Sequence, residues 1–271
     1  MSWGYLAVLI NSTIRSTTPV LLAALGSLVC SRSGVFNIAL EGQMLVASFT
    51  SILVNYYTGN VFLSVTAGVL SGVFIGMIVA LLQVKYNAAD MVIGTSINLL
   101  VGALTSILLS IFLGVRGSYS SPDLVSLKKI KIPIINSIPI IGRIFENLTV
   151  IDYMAYVLAI LIFIYLFRTI SGFRVLSVGV NKDAAESLGI NGTRVRMSMV
   201  ILSGALCGLG GVALSMGQVI LFTENMTAGR GFIAMASASM GMNHPIYVIV
   251  SSLFFGFSQA IGATMQNLIP S

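Results

Sequence analysis

Residues 25–49 read LGSLVCSRSGVFNIALEGQMLVASF, and no other stretch constrains the architecture as strongly. The chain leaves one apolar segment here, crosses the polar link Ser31–Gly34 and enters a second apolar segment through Asn37 and Glu41. An ionised carboxylate at the start of a hydrophobic helix is costly in lipid, so Glu41 must face protein or water, and such a group is a functional hypothesis by default. The sequence therefore predicts a polar junction between two membrane helices.

The composition places the chain in a membrane. Of its 271 residues, 56% are hydrophobic and 8% are charged, whereas about a quarter of the residues of a soluble domain are charged. The mean hydropathy is +0.99. The formal charge of +6 comes from few basic residues that lie mostly in loops, where they set orientation in a membrane protein. They are not read as a nucleic-acid surface.

Apolar runs of about 20 residues, long enough to cross a bilayer core, recur along the chain. We predict eight spans, at 5–29, 38–57, 61–83, 92–114, 151–168, 197–217, 231–243 and 246–266. The seventh is too short to cross alone, so we expect a half-helix or a tilted segment broken at His244-Pro245. The long polar links 115–150 and 169–196 separate the middle spans.

Basic residues orient the link 169–196. Positive charge next to a span favours the cytoplasmic side, and four arginines lie close to the spans that flank this link: Arg168, Arg174, Arg194 and Arg196. We therefore expect 169–196 in the cytoplasm and 115–150 on the outer side.

The same link contains signals for one short helix. Asp183 and Glu186 have capping-box spacing, Ala184 and Ala185 favour a helix, and Gly189 is a natural stop. The pattern predicts a rigid helix over 183–190, and the alternative is an ordinary solvated linker.

Three runs of sequence carry a resemblance to a known family. The first is Leu25-Gly26 followed by Arg32–Val35 and Asn37–Leu45, the second is Val178–Asn181 with Ala184-Ala185 and Gly189-Ile190, and the third is Glu224–Ala234. In these runs the chain resembles the permeases of bacterial ABC importers in the branch that serves ribose, branched-chain amino acids and nucleosides. It is most similar to the shorter of two paired permeases of nucleoside uptake systems.

The resemblance implies an all-α bundle of two related halves, with residues 1–271 forming one transmembrane permease domain in the bacterial cell membrane. It implies a paired permease, two cytoplasmic ATP-binding subunits or domains, and an extracytoplasmic substrate-binding protein as partners. The short cytoplasmic helix becomes the coupling helix that docks on an ATPase, with residues Asn181, Asp183, Ala184, Ala185, Glu186 and Gly189. The chain itself has no phosphate-binding loop, so ATP and magnesium belong to the partners, and we expect no cofactor or metal on this chain and no enzymatic activity of its own.

The chain departs from the family pattern in three respects. Leu176, Val180 and Lys182 stand where the family usually has Arg, Glu and Pro. Relatives usually continue into one more span after the position of Ser271, so either this protein is short or a C-terminal span is missing. The internal repeat is faint, since Ser33–Phe49 and Thr223–Met240 share only a glycine-bearing polar link before a helix of small residues.

The fourth predicted span offers polar groups for a substrate path. Thr95, Ser96 and Asn98 bring hydroxyl and amide groups into an apolar helix, as a neutral sugar or nucleoside requires. The equally weighted alternative is that Thr95 and Ser96 bond their own helix while Asn98 joins helices. Asn11 in the first span and Gln43 in the second are further candidates for this path.

The remaining polar residues of the spans are interpreted as structural groups or gates. Asn37 and Glu41 are more plausible as ties of the broken link between the first two spans than as substrate contacts. Arg15 is a candidate partner of Glu224 or Glu41. Arg32 belongs to the same structural motif, and Arg230 is either a gate or an anchor of a helix end.

Other transport classes remain open at this point. A sugar or branched-chain amino-acid permease of the same family is the first alternative, and an ion-coupled secondary transporter is the second. The scarcity of cations in the spans predicts an uncharged substrate, because phosphates would require several basic partners.

Overall fold

The chain folds into a bundle of α-helices, and a computed structural model describes residues 3–130 and 141–268 of it. Within these residues the helices are α1 (Trp3–Arg32), α2 (Leu40–Thr58), α3 (Val61–Ala80), α4 (Asp90–Leu113), α5 (Ile141–Ile144), α6 (Val150–Arg168), α7 (Ile170–Val180), α8 (Lys182–Ser187), α9 (Gly192–Val212), α10 (Arg230–Met240) and α11 (Pro245–Leu268). Two π-helical segments, π1 (Leu81–Lys85) and π2 (Ala213–Val219), continue α3 and α9. The strands β1 (Ser118–Tyr119) and β2 (Phe222–Thr223) pair antiparallel.

The bundle has two ends, which are named here by what they carry. The ribbon end carries β1 and β2, and the α8 end carries α7 and α8. The predicted outer link 115–150 supplies β1 at the ribbon end, although its residues 131–140 lie outside the described part of the chain. The two alternatives for the C-terminus, a short protein or a missing further span, also fall outside the described residues and stay predictions.

Six helical segments in the described residues are long and apolar enough to cross a membrane. They are Leu6–Arg32, Val61–Lys85, Asp90–Leu113, Val150–Arg168, Gly192–Val219 and Pro245–Gln266. The predicted bundle of membrane-spanning helices is confirmed in this form. The count of eight spans is not confirmed. Of the two remaining segments, α2 is too polar and α10 is too short to be identified as a span on its own.

The helix α2 is more polar than a lipid-facing helix because protein surrounds it. Twelve of its 19 residues are buried, among them Glu41, Gln43 and Asn55. It packs against α1, α3, α4, α9 and α10. A helix enclosed in this way needs no continuous apolar surface, since its polar groups meet partners in neighbouring helices instead of lipid.

The helix α10 is half as long as a span. Its 11 residues correspond to about 16 Å of helix, against roughly 30 Å for a bilayer core. It ends at Met240, and a turn through His244 leads into α11 at Pro245. Of the two alternatives for the seventh segment, the half-helix is the one that the structure contains.

A close contact between α3 and α9 holds the centre of the bundle together. A Cβ atom added to Gly204 would lie 2.5 Å from the carbonyl oxygen of Gly72, and one added to Gly72 would lie 2.5 Å from that of Gly204. The two backbones therefore touch directly, as small residues allow in membrane helices. Neither position has room for a side chain.

We expect Gly204→Ala to lower the free energy of unfolding by about 1–3 kcal/mol, because the new methyl group forces α3 and α9 apart. Gly102→Ala on α4 is the matched control. A Cβ at Gly102 meets nothing within 4 Å, and alanine gains up to about 1 kcal/mol over glycine in a helix. Thermal unfolding of the purified protein measures both changes, and equal stability of the two variants would contradict this view of the contact.

Candidate functional site

The carboxylate of Glu41 holds the start of α10. Glu41 lies in the first turn of α2 and is 7% exposed. Its Oε1 accepts the backbone N–H of Gly229 at 2.8 Å, and its Oε2 accepts that of Gly231 at 2.6 Å. Both donors lie at the N-terminus of α10, where the helix dipole favours an anion. Glu41 therefore joins α2 to α10, which corrects the expectation that it ties the link between the first two spans.

The guanidinium of Arg32 holds the other end of α10. Its Nε donates to the carbonyl of Asn243 at 2.6 Å and its Nη2 to that of Met242 at 3.2 Å, in the turn that follows α10. The same guanidinium lies 5.9 Å from the ring centre of Phe167. Burial and the charge of Arg32 lower the pKa of His244 in this turn. The segment between Arg32 and Glu41 thus binds α10 at both ends with charges that complement its dipole.

The amide of Asn98 accepts a backbone N–H at the start of α2, as the carboxylate of Glu41 does at the start of α10. Asn98 of α4 accepts the N–H of Gly42 through Oδ1 at 2.8 Å and donates to the carbonyl of Ile38 at 3.0 Å. The N-cap residue of α2 is Ala39, which has no polar side chain, so the cap comes from another helix. Asn98 is therefore the joining residue that one of the two sequence alternatives described.

Asn37 ties the link between α1 and α2 to α9. Its Oδ1 accepts the N–H of Ala39 at 3.0 Å, and its Nδ2 donates to the hydroxyl of Ser203 at 3.1 Å. The side chain is 2% exposed. This geometry fits the structural interpretation of Asn37.

Because Glu41 and Gly42 are consecutive, α10 and α4 must flank the start of α2. We call this region the α2 junction: the first turn of α2 with the adjoining faces of α4 and α10. Only five of the 24 residues of α4 are buried, so most of α4 is not covered by the described residues. On α10, Phe232 is likewise exposed. The junction therefore borders a surface that is open to a partner or to lipid.

The predicted path residues of α4 divide between this open surface and the interior. Thr95 and Ser96 are exposed, and the hydroxyl of Thr95 bonds the carbonyl of Met91 of its own helix at 2.8 Å. Asn98 is half-buried and both its polar atoms are used. Thr95 and Ser96 are thus the residues of this set that a substrate could reach.

Two other candidates for the path lie elsewhere. Gln43 is fully buried and its Oε1 accepts from Asn37 at 3.4 Å. Asn11 donates to the carbonyls of Ile144 and Glu146, both at 2.7 Å, at the ribbon end. Neither lies on the open surface of the α2 junction, and their assignment to a substrate path stays a prediction.

The acidic and basic residues of the spans do not pair as expected. Glu224 accepts the N–H of Gly117 at 2.9 Å beside the ribbon, and Glu41 is occupied by α10. Arg15 reaches only the carbonyl of Gln218, at 3.5 Å, among the described residues. Arg230 donates to the carbonyls of Met226 and Thr227 at 3.2 and 3.3 Å. The expected pair of Arg15 with Glu41 or Glu224 is therefore wrong, and Arg230 closes the loop before its own helix.

The link 169–196 contains two helices where the sequence predicted one. The longer helix α7 is capped by Thr169, whose hydroxyl accepts the N–H of Gly172 at 3.1 Å. The shorter helix α8 spans Lys182–Ser187, whereas 183–190 was predicted. Its cap is Asn181, whose Oδ1 accepts the N–H of Ala184 at 3.0 Å.

The capping box at Asp183 and Glu186 is wrong, because the extended backbone that a cap requires lies at Asn181. Asp183 instead lies in the first turn of α8. Glu186 forms an i,i+4 pair with Lys182 at 3.8 Å. Gly189 has a φ of +82°, in agreement with a stop.

Three exposed apolar residues were given no functional role from the sequence. Val180 and Leu188 are 89% and 81% exposed and lie just before and just after α8. Phe232 lies on α10 at the α2 junction. The sequence feature that could have identified Val180 and Leu188 is an apolar residue at each end of a short polar helix. No such feature marks Phe232, since most phenylalanines of an apolar chain face other helices or lipid.

Comparison with known proteins identifies a family and several relatives that the chain resembles. Residues 9–269 match the family described as the branched-chain amino acid transport system / permease component. The guanosine ABC transporter permease protein NupQ of Bacillus subtilis and the nucleoside ABC transporter permease protein NupC of Lactococcus lactis are each 34% identical over 98% of this chain and 84% of their own length. The putative glucose ABC transporter permease protein TsgC13 of Haloferax volcanii is 28% identical over 98% of the chain and 80% of its length. No solved structure matches.

These relatives are transport subunits, and their likeness covers nearly every residue of the chain, including the α2 junction and the link with α7 and α8. Together with the six apolar helices, the family match assigns a multi-pass membrane protein. The chain belongs to the branched-chain amino acid transport system / permease component family, and it is an ABC transporter permease.

Proposed function

We propose that this chain is the permease subunit of an ATP-driven importer of uncharged nucleosides in the bacterial cell membrane. The observation that carries the proposal is the 34% identity to a guanosine permease and to a nucleoside permease over 98% of the chain. A sugar substrate is the second candidate, and the likeness to a glucose permease favours it at lower identity.

The substrate passes along the open surface of the α2 junction, between this permease and a second one. Three features support this route. The junction lies inside the bundle, α4 is covered on one face only, and α4 contains no lysine or arginine. Hydroxyl groups of Thr95 and Ser96 and the ring of Phe232 suit a neutral ribose and an aromatic base. The described residues of the junction offer no arginine cluster for a phosphate.

The second permease covers the free face of α4. A mostly uncovered helix with exposed hydroxyls is better buried against protein than against lipid, because hydroxyl groups can then bond across the interface. B. subtilis and L. lactis each contain a more distant permease of the same transporter name, NupP and NupB, which are 23% and 25% identical to this chain. A homologous pair is therefore the expected arrangement.

The helix α8 docks on a cytoplasmic ATPase. Side chains cap the N-termini of three successive helices at the α8 end: Thr169 caps α7, Asn181 caps α8 and Asn191 caps α9. The helices at this end therefore have well-defined starts. Ala184 is exposed between the apolar residues Val180 and Leu188. Such exposed apolar side chains at the end of a membrane protein favour a protein partner.

The remaining partners follow from the same proposal. ATP and magnesium bind to two partner ATPases, a binding protein delivers substrate at the ribbon end, and α2 and α10 complete eight membrane segments with the six apolar ones. In this arrangement α2 is the enclosed segment and α10 enters only part of the bilayer.

Replacing Glu41 tests the α2 junction. We expect Glu41→Gln to destabilise the protein by about 1–3 kcal/mol, because one of two buried N–H groups loses its charged acceptor. Glu224→Gln is the matched control, since Glu224 is exposed and makes a single described bond to a backbone N–H. Thermal unfolding and guanosine uptake are measured for both variants. If Glu41→Gln behaves like the control, the carboxylate does not hold α10.

Replacing the apolar residues beside α8 tests the coupling. We expect Leu188→Asp and Val180→Asp to abolish substrate-stimulated ATP hydrolysis and to weaken co-purification of the ATPase, because a charge would be buried in the interface. Val125→Asp, an exposed apolar residue in the outer link, is the control. All three variants should keep the wild-type unfolding temperature. Normal stimulation in both α8 variants would contradict docking at this helix.

The substrate is tested by uptake in the reconstituted transporter. We expect transport of labelled guanosine or adenosine and no transport of their monophosphates, because the open surface provides hydroxyl and aromatic groups without a cluster of cations. The double variant Thr95→Val with Ser96→Ala should raise the KM for nucleosides. Its effect on co-purification of the ATPase should be small. Equal uptake of the monophosphate would refute an uncharged substrate, and uptake of glucose alone would favour the second candidate.

A further inference from the structure

Arg15 lies in a membrane helix, and none of the described residues gives it a carboxylate partner. All eight aspartates and glutamates lie within the described residues, and the one ion pair that these residues form joins Lys182 and Glu186. The guanidinium of Arg15 reaches only the carbonyl of Gln218, at 3.5 Å. Most of its five donors therefore remain available.

Arg15 faces a cavity lined by both polar and apolar residues. The cavity has a volume of about 290 Å³ and lies between α1, π2 and α11. Its lining includes the polar residues Ser12, Arg15, Ser16, Gln218 and Thr264. Gln218 is fixed, because its side chain donates to the backbone carbonyl of Arg15. An arginine surrounded by hydroxyl and amide groups is a typical arrangement for recognising an anionic oxygen group.

The depth of this cavity matches the headgroup region of a bilayer. Arg15 lies 17 residues before Arg32 on α1, which corresponds to about 26 Å along the helix axis. Thr264 lies 19 residues after Pro245 on α11, or about 29 Å. Arg32 and Pro245 are at the α8 end, so both helices place the cavity one bilayer-core thickness of roughly 30 Å away, at the opposite boundary.

An apolar surface continues from the cavity towards the centre of the membrane. Val250, Phe254, Phe257 and Ile261 are exposed on α11 at spacings of three and four residues, which places them on one face. Thr264 follows Ile261 by three residues on that side. A cation with hydroxyls at headgroup depth and an apolar strip below it together match the shape of a phospholipid, with its phosphate above and its acyl chain along α11.

We infer that the Arg15 cavity binds the phosphodiester group of a membrane phospholipid in the leaflet at the ribbon end. Arg15 supplies the paired N–H donors for two phosphate oxygens, and Ser12 and Ser16 add hydroxyl donors. Thr264, whose hydroxyl donates to the carbonyl of Ala260 at 2.7 Å, borders the site. One acyl chain lies on the exposed face of α11. The bound lipid neutralises an arginine that would otherwise be costly in a membrane helix.

The test uses the complete purified transporter in detergent with phosphatidylglycerol as the probe. We expect the lipid to raise the unfolding temperature of the wild type and to remain attached to this subunit in native mass spectrometry. Both effects should be lost in Arg15→Gln and reduced in Ser16→Ala, which removes one of the hydroxyl donors that line the cavity. Arg116→Gln, an exposed arginine in the loop at the ribbon end, is the control and should respond like the wild type.

The other outcomes overturn the proposal. If inorganic phosphate alone produces the same shift, the cavity is a site for a free anion and not for a lipid. If Arg15→Gln releases the second permease while the lipid shift persists, the guanidinium pairs with a carboxylate of that subunit. If Arg15→Gln is folded and responds to phosphatidylglycerol like the wild type, Arg15 does not bind the phosphate.

Discussion

The bond between the Glu41 carboxylate and the start of α10 is the interaction on which the interior of this permease depends. A helix that begins in the buried interior of a bundle leaves N–H groups that need acceptors from other residues. Glu41 provides acceptors for two of these groups, and Arg32 binds the carbonyls of the turn beyond the other end. Residues on either side of the short link between α1 and α2 thereby satisfy both ends of α10.

The helices α2 and α10 begin in the interior of the bundle, and side chains from other helices cap both of them. The N-cap positions of α2 and α10 are Ala39 and Gly229, which have no polar side chain, and the missing acceptors come from Asn98 and Glu41. The helices at the α8 end carry their own caps at Thr169, Asn181 and Asn191. Local capping suffices where water competes with every bond, whereas interior helices use the cap to fix a neighbour as well.

This difference explains how far the sequence could be interpreted. Hydropathy finds the lipid-facing helices, because they need continuous apolar surface, and local rules find the stop at Gly189. They misplace the cap of α8 by two residues, since Asp183 and Asn181 are both good caps and only the backbone selects between them. They cannot say that Asn98 serves α2, because its partners Gly42 and Ile38 lie more than fifty residues away in sequence. A polar residue in an apolar segment indicates that a partner exists, but the sequence does not show which residue that partner is.

The link between α1 and α2 also connects the α8 end of the molecule to the α2 junction. The backbone of α7 touches this link so closely that a Cβ on Gly179 would overlap the carbonyl of Arg32, and Arg196 of α9 donates to the carbonyl of Ser33 at 3.1 Å. Eight residues lie between Arg32 and Glu41. A movement of α7 imposed through α8 would thus press on the segment that holds α10 at both ends. Contiguous packing of this kind is one physical route for coupling between distant sites. It would let a partner at the α8 end change the α2 junction without any contact between the two.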